Sequence, residues 1–160
     1  MILRCLLLAV ALIPPPVQDL GSLGQALKPV HQFVAFLSEP QVVAAGASAF
    51  LDLHFRVLGG LHVNSHTPGS QWLIPTGLAL RPADGIRVRA FEYPAGKPYH
   101  FNFDPATTLD VYSEDFTVRL PVMAAAGQHE LRGELKYQAC DKALCYPPQS
   151  LPVSIPFTAR

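Results

Sequence analysis

The stretch Ala47-Ser48-Ala49-Phe50-Leu51-Asp52-Leu53-His54-Phe55-Arg56-Val57 decides the fold. Ala47, Ala49, Leu51, Leu53, Phe55 and Val57 fall on every second position, and Ser48, Phe50, Asp52, His54 and Arg56 fill the places between. Successive side chains of an extended chain point to opposite faces, so this period of two predicts a strand with one buried face. The same alternation recurs outward from it. Ile86, Val88 and Ala90 alternate with Arg87 and Arg89, and Phe116, Val118 and Leu120 with Thr117, Arg119 and Pro121. Leu131, Gly133, Leu135 and Tyr137 alternate with Arg132, Glu134, Lys136 and Gln138. In the last segment Leu151, Val153, Ile155 and Phe157 alternate with Pro152, Ser154 and Pro156. Proline donates no ladder hydrogen bond, so this segment is predicted as an edge strand with Pro152 and Pro156 facing outward. Turn formers separate the strands: Gly59-Gly60, Pro68-Gly69, Pro82-Ala83-Asp84-Gly85, Pro94-Ala95-Gly96 and Ala126-Gly127. Short one-faced strands between such turns predict an all-β, antiparallel β-sandwich.

The first 32 residues read differently. Met1 to Arg4 is a short basic start, Cys5 to Ile13 is a continuous apolar run, and Pro14-Pro15-Pro16 ends it. A bilayer span needs about 20 apolar residues, so the run fits the core of a secretory signal instead. Small residues at Gly24 and Ala26 place signal cleavage after Ala26. The expected organisation is a signal peptide at residues 1–26, a linker at 27–32 and a single domain at 33–160. Cys5 opens the apolar run and is too early to carry a lipid anchor. An exported chain folds in an oxidising compartment, where a disulfide persists.

Twelve Lys and Arg balance twelve Asp and Glu, and the charges are scattered. Such a surface has no electrostatic footprint for nucleic acid or an anionic membrane. A domain of roughly 130 residues buries a real core without cross-links.

Removal of Cys5 with the signal leaves one close pair, Cys140 and Cys145, in Cys140-Asp141-Lys142-Ala143-Leu144-Cys145-Tyr146-Pro147-Pro148. It lies between the strand ending near Tyr137 and the one beginning near Leu151, so it is expected at a hairpin tip. Three readings stand side by side. As a staple, closing so short a loop contributes about 2 kcal/mol in the chain-entropy model, less than a bridge between distant strands. As a redox centre, the tip offers sulfurs that a partner reaches; Lys136 and Lys142 favour a thiolate there and Asp141 opposes it. As a soft-metal site, two thiolates and a histidine supply ligands, although this spacer is a poor zinc pattern. Tyr146 is large enough to shield the sulfurs, and Pro147-Pro148 stiffens the chain beyond Cys145.

The segment Tyr137 to Pro148, with Leu61-His62-Val63-Asn64-Ser65-His66-Thr67-Pro68 and Leu73-Ile74-Pro75-Thr76-Gly77-Leu78 followed by Tyr93-Pro94, resembles the N-terminal periplasmic domain of the thiol:disulfide interchange protein DsbD. Order and spacing agree across most of residues 33–158. The resemblance implies an immunoglobulin-like sandwich and an electron carrier without a cofactor. The implied donor is a membrane electron transporter or a thioredoxin-like domain, and the implied acceptors are oxidised periplasmic proteins. By position, Cys145 forms the mixed disulfide and Cys140 resolves it, with Tyr146, Pro147, Asp141 and Lys142 in support. Familiar members have one more residue between the cysteines and an Asp-Glu-Phe-Tyr-Gly cap loop over them. The corresponding stretch Asp104 to Asp110 has no Phe-Tyr pair, which leaves Phe101, Phe103 or Tyr112 as cap candidates. The membrane helices and thioredoxin-like domain of the full interchange protein are not in this sequence, so its partners are expected to be separate chains. The non-enzymatic alternative is a β-sandwich binding module with a structural disulfide.

His62 and His66 are expected to make ordinary turn or strand-end contacts, and Trp72 to lie in the core.

Overall fold

The computed structural model describes residues 32–101 and 104–160. The predicted signal peptide, Cys5, the linker up to residue 31 and Phe103 lie outside the described residues.

The described residues form strands and no helix: β1 Val34–Leu37, β2 Gln41–Val43, β3 Ala49–Val57, β4 His62–Asn64, β5 Gly77–Leu80, β6 Ile86–Val88, β7 Lys97–Phe101, β8 Asp104–Tyr112, β9 Asp115–Ala124, β10 Gly127–Tyr137, β11 Ala139–Cys140 and β12 Gln149–Ala159. Among them no helix is long and apolar enough to cross a membrane. One sheet has the order β1-β3-β9-β6, a second β2-β12-β10-β5, and a third β11-β4-β8-β7.

The first two sheets make the sandwich. Leu51, Leu53 and Phe55 of β3 and Val118 and Leu120 of β9 join Leu131 and Leu135 of β10 and Val153, Ile155 and Phe157 of β12 in one buried cluster. These are the alternating residues of the sequence, and their burial is the main stabilising term of the fold, about 25 cal/mol per Å² of apolar surface removed from water. The architecture is an immunoglobulin-like β-sandwich, antiparallel except where Phe157–Ala159 of β12 runs parallel to Gln41–Val43.

That parallel pairing refines the edge-strand prediction. β12 is an edge only from Leu151 to Pro156; beyond that β2 covers it. Pro152 and Pro156 do point away from the core. The neighbouring Ser154 turns its carbonyl outward to accept from Ser38 Oγ at 3.1 Å. The prolines share that parity, so their missing N–H groups fall on the open side and the ladder to β10 is intact. The alternation at Ile86–Ala90 yields a shorter strand than its length predicts: β6 ends at Val88, which is exposed at the sheet edge.

The third sheet positions the cysteines. β10 pairs with β12 as far as Tyr137 opposite Gln149. After Gln138 the chain leaves that sheet, and β11 pairs with β4, placing Ala139 opposite Val63 and Cys140 opposite His62. Asp104 to Asp110, expected as a cap loop, is instead the body of β8, a strand paired with both β7 and β4.

Gly133 marks where β10 and β5 approach most closely. A Cβ there would overlap the Ala79 carbonyl oxygen and crowd Leu80, whereas one at Gly59 meets open space. Gly133→Ala should therefore lower stability by about 1–3 kcal/mol, and Gly59→Ala should change it by less than about 0.5 kcal/mol. Urea denaturation followed by tryptophan-independent circular dichroism checks both.

Candidate functional site

Cys140 and Cys145 are joined by a disulfide, with Cα atoms 3.9 Å apart. They oppose each other as an isolated antiparallel bridge. Tyr146 N donates to Ala139 O at 2.8 Å, and Asp141 N donates to Leu144 O at 3.0 Å. Hydrogen bonds on either side of a pair, rather than within it, define the narrow, non-hydrogen-bonded site of an antiparallel ladder, where side chains stand closest. The backbone thus brings the two sulfurs together at the tip of the β10–β12 connection.

The two cysteines differ in access. Cys140 is 1% exposed, whereas Cys145 is half-buried and next to the exposed Leu144. His62, opposite Cys140 in the ladder, lies among aromatic rings. The ring of His62 lies 4.0 Å from that of Tyr99 and 5.8 Å from that of Phe101, centroid to centroid. Tyr99 meets Phe101 edge-on at 5.4 Å. Phe101 is thus the cap candidate that lies beside His62, the residue opposite Cys140, on β7 and with Tyr99 next to it. Tyr112 is elsewhere: it is buried and stacked on Phe116 at 4.4 Å, and its hydroxyl donates to Pro94 O at 3.0 Å.

Asp141 holds the tip. Its Oδ1 accepts from Ala143 N at 2.7 Å and Leu144 N at 2.9 Å, and its Oδ2 accepts from the Tyr146 hydroxyl at 2.9 Å. The two backbone donors, then Tyr146, hold its carboxyl below the usual carboxylate range, and the same bond raises the Tyr146 hydroxyl. Tyr146 packs on Phe33, ring centroids 4.7 Å apart. Asn64 and Gln138 tie this tip to the third sheet: Asn64 Nδ2 donates to Ile74 O at 2.9 Å and to Gln138 Oε1 at 3.2 Å, and Gln138 Nε2 donates to Tyr146 O at 3.3 Å.

The predicted supporters divide accordingly. Asp141 and Tyr146 form one hydrogen-bonded unit with the turn. Lys142 and Pro147 are exposed on the tip. Lys136 pairs with Glu134 at 3.2 Å, so its charge is engaged on β10 rather than at the sulfurs. His62 opens strand β4, at a strand end, and is 3% exposed. His66 stacks on Tyr93 at 3.8 Å with Nδ1 2.9 Å from Thr76 O, so the two histidines serve separate surroundings. Trp72 is 84% exposed, not in the core. It sits in the turn after Ser70, whose hydroxyl receives its N–H at 3.4 Å, and this loop lies outside the sandwich layers. The sequence alone does not mark His62 as the residue opposite Cys140, nor Tyr99 as the ring against it. The alternation of Lys97, Tyr99 and Phe101 was the available signal, broken by Pro98 and by a shift of register between Tyr99 and Phe101.

The family described as the N-terminal part of the thiol:disulfide interchange protein DsbD matches residues 33–155. No curated protein matches the chain. Solved structures are similar in shape. The DsbD N-terminal domain of Neisseria meningitidis in the reduced form is 22% identical, with 72% of this chain and 82% of that one covered and a TM-score of 0.47. A chain from the complex between the DsbD N-terminal and PilB N-terminal domains of Neisseria meningitidis is 19% identical, with coverage of 81% and 87% and a TM-score of 0.48. The N-terminal periplasmic domain of ScsB from Proteus mirabilis is 11% identical with a TM-score of 0.52; the match covers 77% of this chain and 51% of that one, a likeness of fold.

The Asp141 carboxyl gives the tip a pH dependence. Its folded value is depressed, so the contribution is present above the unfolded value of about 3.9 and is lost as pH falls from there through the folded value. Amide exchange at Ala143 and Leu144 should accelerate over that acid window in the oxidised protein. Asp141→Ala should show the faster exchange already at neutral pH.

Proposed function

This chain belongs to the family of the DsbD N-terminal domain, and on that premise we propose that it carries reducing equivalents by thiol–disulfide interchange through Cys140 and Cys145. The observation that carries the reading is the unequal access of two bonded sulfurs at one tip: Cys145 half-buried beside exposed Leu144, Cys140 closed in. A staple has no use for that asymmetry, and the flanking backbone hydrogen bonds already close the loop.

Interchange needs a reachable attacking sulfur and a second one held close behind it. In the reducing direction, the Cys145 thiolate attacks a sulfur of the oxidised partner. The partner's disulfide breaks, its other sulfur leaves as a thiolate and takes up a proton. Cys140, as a thiolate, then attacks Cys145 Sγ. The mixed disulfide breaks, the partner's second sulfur leaves and is protonated, and Cys140–Cys145 is restored. Two electrons and two protons have passed to the partner. A donor dithiol reverses these steps, and no cofactor enters. Asp141 and Tyr146 keep the tip in shape, and Lys142 and Pro147 border it.

The domain is residues 33–160, preceded by a linker at 27–32 and an export signal at 1–26, and it works in the periplasm. Its donor is a membrane electron transporter or a thioredoxin-like protein, and its acceptors are oxidised exported proteins. The acceptor's identity is left to its own surface, since the only chemistry required of it is an accessible disulfide.

Reduced Cys140→Ala, mixed with an oxidised thioredoxin-like protein, should accumulate a mixed disulfide through Cys145, and Cys145→Ala should not. The wild-type pair should equilibrate at a potential between about −270 and −120 mV, the range of thiol–disulfide carriers. A potential below about −300 mV together with no trapped complex would mark a structural bond and overturn the proposal.

A further inference from the structure

His62 has no part in the exchange steps above, yet it is the side chain directly opposite Cys140 in the β4–β11 ladder. It is 3% exposed, and its Nε2 is buried without a hydrogen-bond partner. Buried polar nitrogens are seldom left this way, because the group loses its water and gains nothing in return. Directly opposed residues project to the same side of the sheet with Cβ atoms about 4.5–5.5 Å apart. A disulfide sulfur has no hydrogen to donate and is a weak acceptor, whereas a thiol donates. Breaking the Cys140–Cys145 bond therefore creates, at Cys140, the partner that the imidazole lacks.

We propose that His62 is the proton acceptor for Cys140, taking the thiol proton when the pair closes and returning it when the pair is opened. The proposal rests on reading Cys140 and Cys145 as an exchanging pair. With Nδ1 carrying the ring proton, Nε2 accepts the proton as the Cys140 S–H bond breaks, and the electron pair stays on sulfur. That thiolate attacks Cys145 Sγ, and the sulfur previously bound there leaves with the electron pair of the broken bond. In the opening direction an incoming thiolate attacks Cys145 Sγ, Cys140 leaves as a thiolate with the electron pair of the broken bond, and it takes up a proton that His62 Nε2 has drawn from solvent.

The surroundings suit this use. Tyr99 and Phe101 cover the ring from β7 and exclude water. Burial lowers the proton affinity of His62 while the charge of Asp141, the smaller influence, raises it. The ring is thus neutral and able to accept near neutral pH, and the imidazolium formed in passing is attracted by Asp141. Among the described residues, the strands packed around it bring no cation to the ring: β8 sets Tyr112 opposite Val63 and Val111 opposite Asn64, β7 brings the Tyr99 phenol, and Lys142 is exposed on the tip.

The test uses the full chain carrying Cys5→Ala, reduced and mixed with the aromatic disulfide 5,5′-dithiobis(2-nitrobenzoate). The first coloured thiolate reports attack by Cys145, and the second reports closure by Cys140. A positioned proton acceptor contributes about 10²–10⁴-fold. His62→Phe and His62→Gln should therefore slow the second release at neutral pH by at least about 10-fold, with the first release little changed. Their closure rate should rise with pH along the thiol's own ionisation, whereas the wild type should hold its rate to lower pH. His62→Gln, checked by circular dichroism, carries the comparison if His62→Phe does not fold. Equal closure rates and the same pH profile in all three proteins would overturn the proposal. Closure needs no protein partner, so failure to exchange with thioredoxin-like proteins would sink the carrier reading alone.

Discussion

Gln138 is where the chain leaves one sheet for another, and its hydrogen bonds hold that crossing. Its backbone carbonyl accepts from Asn64 N at 3.2 Å, its side-chain oxygen accepts from Asn64 Nδ2, and its side-chain nitrogen donates to Tyr146 O. Before it, β10 is committed to the sandwich; after it, β11 is committed to β4. A slip of one residue here would turn every side chain of β11 to the other face. Cys140 would then no longer lie opposite His62, and the narrow pairing with Cys145 would be lost. The pairing of buried Asn64 with half-buried Gln138 fixes the register that the short β11 ladder is too small to fix alone.

The sandwich was legible because burial on one face leaves a period-two trace, as in Leu51, Leu53 and Phe55 or Val153, Ile155 and Phe157. The hairpin tip and its cysteine pair were legible for a related reason: two long alternating segments bracket them. The third sheet was not. β4 has three residues, all buried, so it carries no alternation to read. β7 contains Pro98 and a register shift, and β8 mixes Pro105, Thr107 and Thr108 into its run. Trp72 misled because a large apolar ring is usually buried, and nothing local told that its loop stands outside the layers.

Local charge also took a different form from the one sequence proximity suggests. Asp141 lies beside a cysteine, which reads as repulsion of a thiolate. In the folded chain its carboxylate is spent on two backbone amides and a phenol, and Lys136 answers Glu134 instead. Opposite Cys140 stands the imidazole of His62, itself set against the uncharged rings of Tyr99 and Phe101.

The Asp141 clasp has one more consequence. None of its hydrogen bonds passes through sulfur, and neither do the backbone bonds of Ala139 with Tyr146 and Asp141 with Leu144. Cutting the covalent link thus leaves the tip's contour in place. Both oxidation levels present nearly the same silhouette, little reorganisation accompanies the transfer of two electrons, and a visiting protein tells a full carrier from an empty one by reactivity rather than by shape.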